Sequence, residues 1–109
     1  MLSGFKSLAQ NEKCLALANA IIKNTKADIH NQSVDLDEIY YIKAEFPSAF
    51  DLEAIKTICD TTAKSAKVSY NWRLNYDRNY EKEFLVNGNK FLVTIYFSDR
   101  FLYFEFPYK

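Results

Sequence analysis

YEKEFLVNGNKFLVTIYFSDRFLYFEFPYK, residues 80–109, is the stretch that decides the fold. Residues 83–86 and 90–97 flank Asn87-Gly88, and both turn residues tolerate the positive φ of a type I′ turn, so the pair is a strong hairpin signal. Ser98-Asp99-Arg100 makes a second tight connection. A last strand over residues 101–106 is stopped by Pro107, which suits an edge or terminal position. Phe91, Val93, Ile95 and Phe97 form one apolar row, while Leu92, Thr94 and Tyr96 on the other face are far from fully polar. A sheet covered on one side shows one apolar and one polar face. The surplus of aromatic and aliphatic side chains therefore marks a contact surface.

Upstream, Val68, Tyr70, Trp72, Leu74 and Tyr76 alternate with Ser69, Asn71, Arg73 and Asn75, the pattern of an amphipathic strand with Trp72 on its inward row. Asp77-Arg78-Asn79 is a turn. Before this strand, Leu52, Ile55, Cys59, Thr62, Ala63 and Ala66 share one helical stripe. Pro47 and Ser48 mark the start of that helix, with Ser48 as the expected cap and Asp51 and Glu53 at the positive end of the helix dipole.

Residues 36–46 carry two signals. Tyr40, Ile42, Ala44 and Phe46 alternate with Tyr41, Lys43 and Glu45, as in a half-buried strand. Asp35 followed by Glu38 also fits a helix capping box. The run of β-formers from Ile39 to Ile42 favours the strand. A first amphipathic helix over about residues 4–28 places Phe5, Leu8, Leu15, Ala18 and Ile22 near one stripe, with Asn11 interrupting or capping it. Residues 29–34, IHNQSV, read as a loop.

The expected order is thus helix, strand, helix and four further strands. This is an α+β two-layer sandwich, with two helices on one face of a mostly antiparallel sheet of four to five strands. A length of 109 residues suits one domain, residues 1–109, large enough to fold without metals or disulfides.

Composition narrows the function classes. Lys plus Arg and Asp plus Glu both number 14, which argues against affinity derived mainly from phosphate neutralisation. Seven acids stand against Lys43 and Lys56 in residues 35–60, an acidic block. It is either a solvated face or, through Asp35, Asp37, Glu38, Asp51 and Glu53, a docking patch for a basic partner. Two glycines, Gly4 and Gly88, cannot build a phosphate loop or a dinucleotide fingerprint. His30 has no partner at ligand spacing and reads as a surface histidine. No serine sits in a glycine-rich elbow, and the acids lack the spacing of a calcium loop. No cofactor, metal or catalytic residue is expected. Cys14 and Cys59 read as buried thiols, and without a secretory signal or a 20-residue apolar span the expected location is the cytoplasm, away from membranes.

The reading that remains is a small non-catalytic protein-binding module: an inhibitor, immunity-type or adaptor protein. Tyr41, Lys43, Arg73, Tyr96, Phe101 and Tyr103 are its candidate contact residues. The alternative is single-stranded nucleic-acid binding through the same face, rings stacking on bases and cations meeting phosphates. A final strand at the sheet margin would also offer an unpaired edge for a homodimer.

Overall fold

A computed structural model of the protein describes residues 11–109. Helix α1 spans Glu12–Asn24 and buries Cys14, Ala18, Ile21 and Ile22, a stripe at four-, three- and one-residue steps. Asn11 occupies its N-cap position without donating or accepting a capping side-chain bond. Phe5 and Leu8 of the expected stripe lie outside the described residues. The C-terminus is closed by backbone bonds from Lys26 N to Lys23 O and from Ala27 N to Ile22 O, with Lys26 in the left-handed region at φ 56°. That is a Schellman stop, formed without the usual glycine.

The stop turns the chain into a strand that the sequence does not announce. Residues 28–34 form β1 (Asp28–Val34), not a loop, and β2 (Ile39–Glu45) returns beside it. Residues 39–45 are therefore strand rather than helix. Helix α2 (Leu52–Thr62) follows, then β3 (Lys67–Leu74), β4 (Tyr80–Val86), β5 (Asn89–Tyr96) and β6 (Phe101–Pro107). The α+β class stands, but among the described residues the sheet has six strands, all antiparallel, in the order β1-β2-β6-β5-β4-β3.

That order corrects the expected position of the last strand. β6 pairs with β2 along Ile39–Glu45 and with β5 along Leu92–Tyr96, so it lies inside the sheet and has no free edge for a second copy. Its apolar character on both faces is what an internal strand shows. The margins are β1 and β3.

Both helices pack on the face that carries Ile42, Ala44, Phe46, Phe84, Phe91, Val93, Ile95, Leu102, Phe104 and Phe106, and together these groups form the core. Phe97 departs from the expected row: it sits in the β5–β6 turn, 40% exposed, and stacks on Phe46. The cap of α2 is Asp51, whose Oδ1 accepts from Ala54 N at 2.8 Å, and not Ser48.

Two register breaks in β3, between Val68 and Tyr70 and between Tyr70 and Arg73, spoil its simple alternation. Trp72 does face the helices, where it is half-buried against the core and its indole N–H donates to Asp60. Tyr70 does not share its row. Its hydroxyl donates to Glu81 on the opposite face.

Two hairpins share one turn design. Asp35 N donates to Ile39 O, Glu38 N to Asp35 O, and Asp35 Oδ1 accepts from Asp37 N and Ile39 N. In the β3–β4 turn Asn75, Asp77, Arg78 and Asn79 repeat each of these bonds. Glu38 and Arg78 take the same left-handed position, φ 61° and 63°. At the β4–β5 turn, Asn87 and Gly88 have φ 56° and 83°, the signs a type I′ turn requires.

Candidate functional site: the helix-free face of the sheet

Alternation along a strand sends every second side chain away from the helices. The pairings stack these outward residues into rows that cross the sheet. One row runs Tyr96, Phe101, Glu45 and Asp28; the next runs Arg73, Glu81, Thr94, Tyr103, Lys43 and Asn31. A third runs Tyr70, Glu83, Leu92, Glu105, Tyr41 and Ser33. All six candidate contact residues thus lie on one face, and among the described residues neither helix packs there.

Four of the six are in mutual contact. The rings of Tyr96 and Tyr103 have centroids 4.6 Å apart, and Lys43 Nζ lies 4.1 Å from the centroid of Phe101 and 5.8 Å from that of Tyr103. The ammonium is held over the negative faces of two rings. Tyr41 lies one row away and donates its hydroxyl to Asp35 Oδ2 at 2.8 Å. Arg73 is separated from the cluster by Glu81 and Thr94. Its guanidinium is already engaged, 3.1 Å from Glu81 Oε2 and 3.7 Å above the ring of Tyr70.

The face also recruits residues that the sequence reading passed over. His30, at the bulge of β1, meets Glu45 at 2.9 Å through Nε2 and sets its ring edge-on to Phe101. Arg100 approaches Glu45 from the other side at 3.4 Å. Glu81 accepts from Tyr70, Arg73 and Asn75. Burial pushes its carboxyl up, but these three donors outweigh that, so it stays below the usual carboxylate range. The Tyr70 hydroxyl is pushed up to about 12, first by burial and then by its bond to Glu81.

Glu105 behaves in the opposite way. Burial raises its carboxyl, and the charges of Glu81 and Asp35 raise it further. Tyr96 is raised by burial and then by Tyr103, Asp77, Glu105 and Glu81. Burial leads both shifts, and the surrounding carboxylates add to it.

The acidic block does not form a single patch. Asp35, Asp37 and Glu38 occupy the β1–β2 turn, whereas Asp51 and Glu53 begin α2 beyond the far end of β2. The seven residues of β2 between them span roughly 20 Å. Asp35 and Asp51 spend their carboxylates on backbone N–H groups, and Glu38 faces Lys109 at 3.7 Å. Among the described residues, no group of three or more His, Cys, Asp or Glu could hold a metal ion, and no helix is long and apolar enough to cross a membrane.

No protein-family model, no curated protein and no solved structure matches this chain.

Proposed function

We propose that this protein is a non-catalytic binding module, of the inhibitor, immunity-type or adaptor kind, whose partner is another protein and whose contact surface is the helix-free face. The observation that carries this reading is the cluster of Tyr96, Tyr103, Phe101 and Lys43, gathered half-buried on a face that the helices leave open. Tyrosine and phenylalanine present large, rigid area at low entropic cost, and such residues dominate the energetics of protein interfaces.

Single-stranded nucleic acid fits the same face less well. Glu81, Glu83 and Glu105 stand in the rows beside the rings, where a phosphate backbone would have to pass. The experiment is capture of a partner by the wild-type chain and by Tyr103→Ala, with and without nuclease, at low and moderate salt. A protein retained by the wild type, lost by the variant and insensitive to nuclease supports the proposal. Binding that disappears with nuclease and falls by orders of magnitude with salt overturns it in favour of nucleic acid.

A further inference from the structure

We propose that β1 is a docking edge, onto which the protein partner adds an extended segment as a further strand beside residues 31–34. The inference rests on reading the helix-free face as a contact surface and adds how the partner meets it, since Asn31 and Ser33 carry the rows of Lys43 and Tyr41 out to this margin.

The backbone carries the argument. Asp35 N donates to Ile39 O, so these two residues are bonded across the ladder, and antiparallel alternation makes Ser33–Tyr41 and Asn31–Lys43 bonded pairs as well. The N–H and C=O groups of Gln32 and Val34 therefore point away from β2. They have no hydrogen-bond partner among the described residues. Every residue of β1 is exposed, and Ile29 and Val34, on the helix side, are 42% and 44% exposed. A strand that adds nothing to the core and keeps an open row of donors and acceptors is a template for another chain. Its guard is the bulge at His30, which leaves residues 31–34 regular.

The other margin shows an edge that is closed. The halves α1-β1-β2 and α2-β3-β4 repeat one order with one turn design, so Gln32, three residues before Asp35, matches Trp72, three residues before Asn75. The Trp72 N–H points outward in the same way, but Asn71 Oδ1 accepts it at 2.8 Å, and the indole ties β3 to Asp60 of α2. Among the described residues the Gln32 side chain bonds only Tyr40, on β2. Two register breaks and the charge of Arg73 guard β3 further.

Charge selects the occupant. Two copies paired antiparallel through β1 would bring each Asp28 towards the other copy's turn of Asp35, Asp37 and Glu38, like charge against like. A partner segment fits when it carries lysine or arginine where it passes that turn, valine-like side chains on the side of Ile29 and Val34, and small polar ones on the side of Asn31 and Ser33.

The test is an amide NMR titration of the whole chain with a blocked peptide of alternating threonine and valine that ends in lysine, and with the same peptide N-methylated at its valines. N-methylation keeps the side chains and removes the donors that would face β1. Val34→Pro is the matching change in the protein, since it deletes an outward N–H and leaves the bonds to β2 in place. The expected result is saturable shifts at residues 31–34, with slowed hydrogen exchange at the Gln32 and Val34 amides. Both N-methylation and Val34→Pro should weaken binding roughly tenfold or more. Equal binding of the N-methylated peptide, unchanged binding by folded Val34→Pro, shifts centred on β3, or no shift at millimolar peptide each overturn the docking edge. A concentration-dependent dimer that Val34→Pro dissolves overturns it in favour of a second copy. If Val34→Pro does not fold, the two peptides on the wild type decide. The Tyr103→Ala capture experiment reads the rings and not the β1 backbone, so the two proposals fail separately.

Discussion

Lys82 on β4 and Asp60 on α2 pair across the helix–sheet interface, with Nζ 2.6 Å from Oδ1. The same carboxylate accepts from Trp72 Nε1 at 3.1 and 3.2 Å, so a single acid ties the second helix to two strands. Lys82 is buried, whereas Asp60 keeps a solvent-facing side. Removing the acid strands the ammonium in the core; removing the ammonium leaves an acid that water can reach. Asp60→Ala should therefore cost about 2–3 kcal/mol, and Lys82→Met, which fills the same space with apolar atoms, about 1 kcal/mol or less. Urea denaturation of the two variants checks the asymmetry, and equal losses would count against it.

The start of α2 gives a sharper comparison. Asp51, not Ser48, satisfies the Ala54 N–H, so Asp51→Ala should destabilise by about 1 kcal/mol while Ser48→Ala stays within about 0.5 kcal/mol of wild type. The reverse ranking in denaturation midpoints would move the helix boundary to Ser48.

Ser48 and Asp51 both precede the apolar stripe, and local sequence does not decide which of the two capping residues the chain uses. The same limit hides β1. DIHNQSV is exposed throughout, at a margin that contributes nothing to the core, so no apolar alternation betrays it as a strand. β6 was legible as a strand but not as an internal one, because β2 reaches forward past four other elements, α2, β3, β4 and β5, to pair with it and Pro107 suggests a margin. The candidate face was legible where alternation is strict, in β2, β5 and β6, and it placed Tyr41, Lys43, Tyr96, Phe101 and Tyr103 together. In β3 the bulges move Tyr70 to the face and pull Arg73 into a bond with Glu81, and nothing in a period of two announces a bulge.

Acid and base should act on Asp35 and Glu105 with opposite signs. The backbone N–H of Ile39, then the Tyr41 hydroxyl, holds the Asp35 carboxyl below its usual 3.8. It contributes stability that is present above that value and lost as pH falls through the folded one. Glu105 is raised above 4.5, so between 4.5 and its folded value the native state binds more protons and stability falls as pH rises. Glu105→Gln should be more stable than wild type at neutral pH, with the difference vanishing in acid. Asp35→Asn should be less stable at neutral pH, with its difference also shrinking in acid. Urea midpoints from about pH 3 to about pH 8 read both curves. A destabilised Glu105→Gln at neutral pH would mean that its carboxylate is matched after all.

The Tyr96–Tyr103 pair bears on stability as well as on binding. Both rings are half-buried and 4.6 Å apart, so they cannot be free of structural consequence. Aromatic pairs contribute about 0.5–1.5 kcal/mol beyond the area they bury. Tyr96→Ala with Tyr103→Ala should therefore cost roughly 2 kcal/mol of stability, with a coupling of about 1 kcal/mol in the double-mutant cycle. A core that lies wholly on the other face should still fold the domain. Against a captured partner, the same double variant should lose 2 kcal/mol or more, about the threshold of an interface hot spot, when measured by calorimetry under conditions where it is folded. Normal partner affinity in the folded double variant would remove this face as the contact surface. Global unfolding would instead assign the two rings to the core and overturn the division of the sheet into a packed face and an open one.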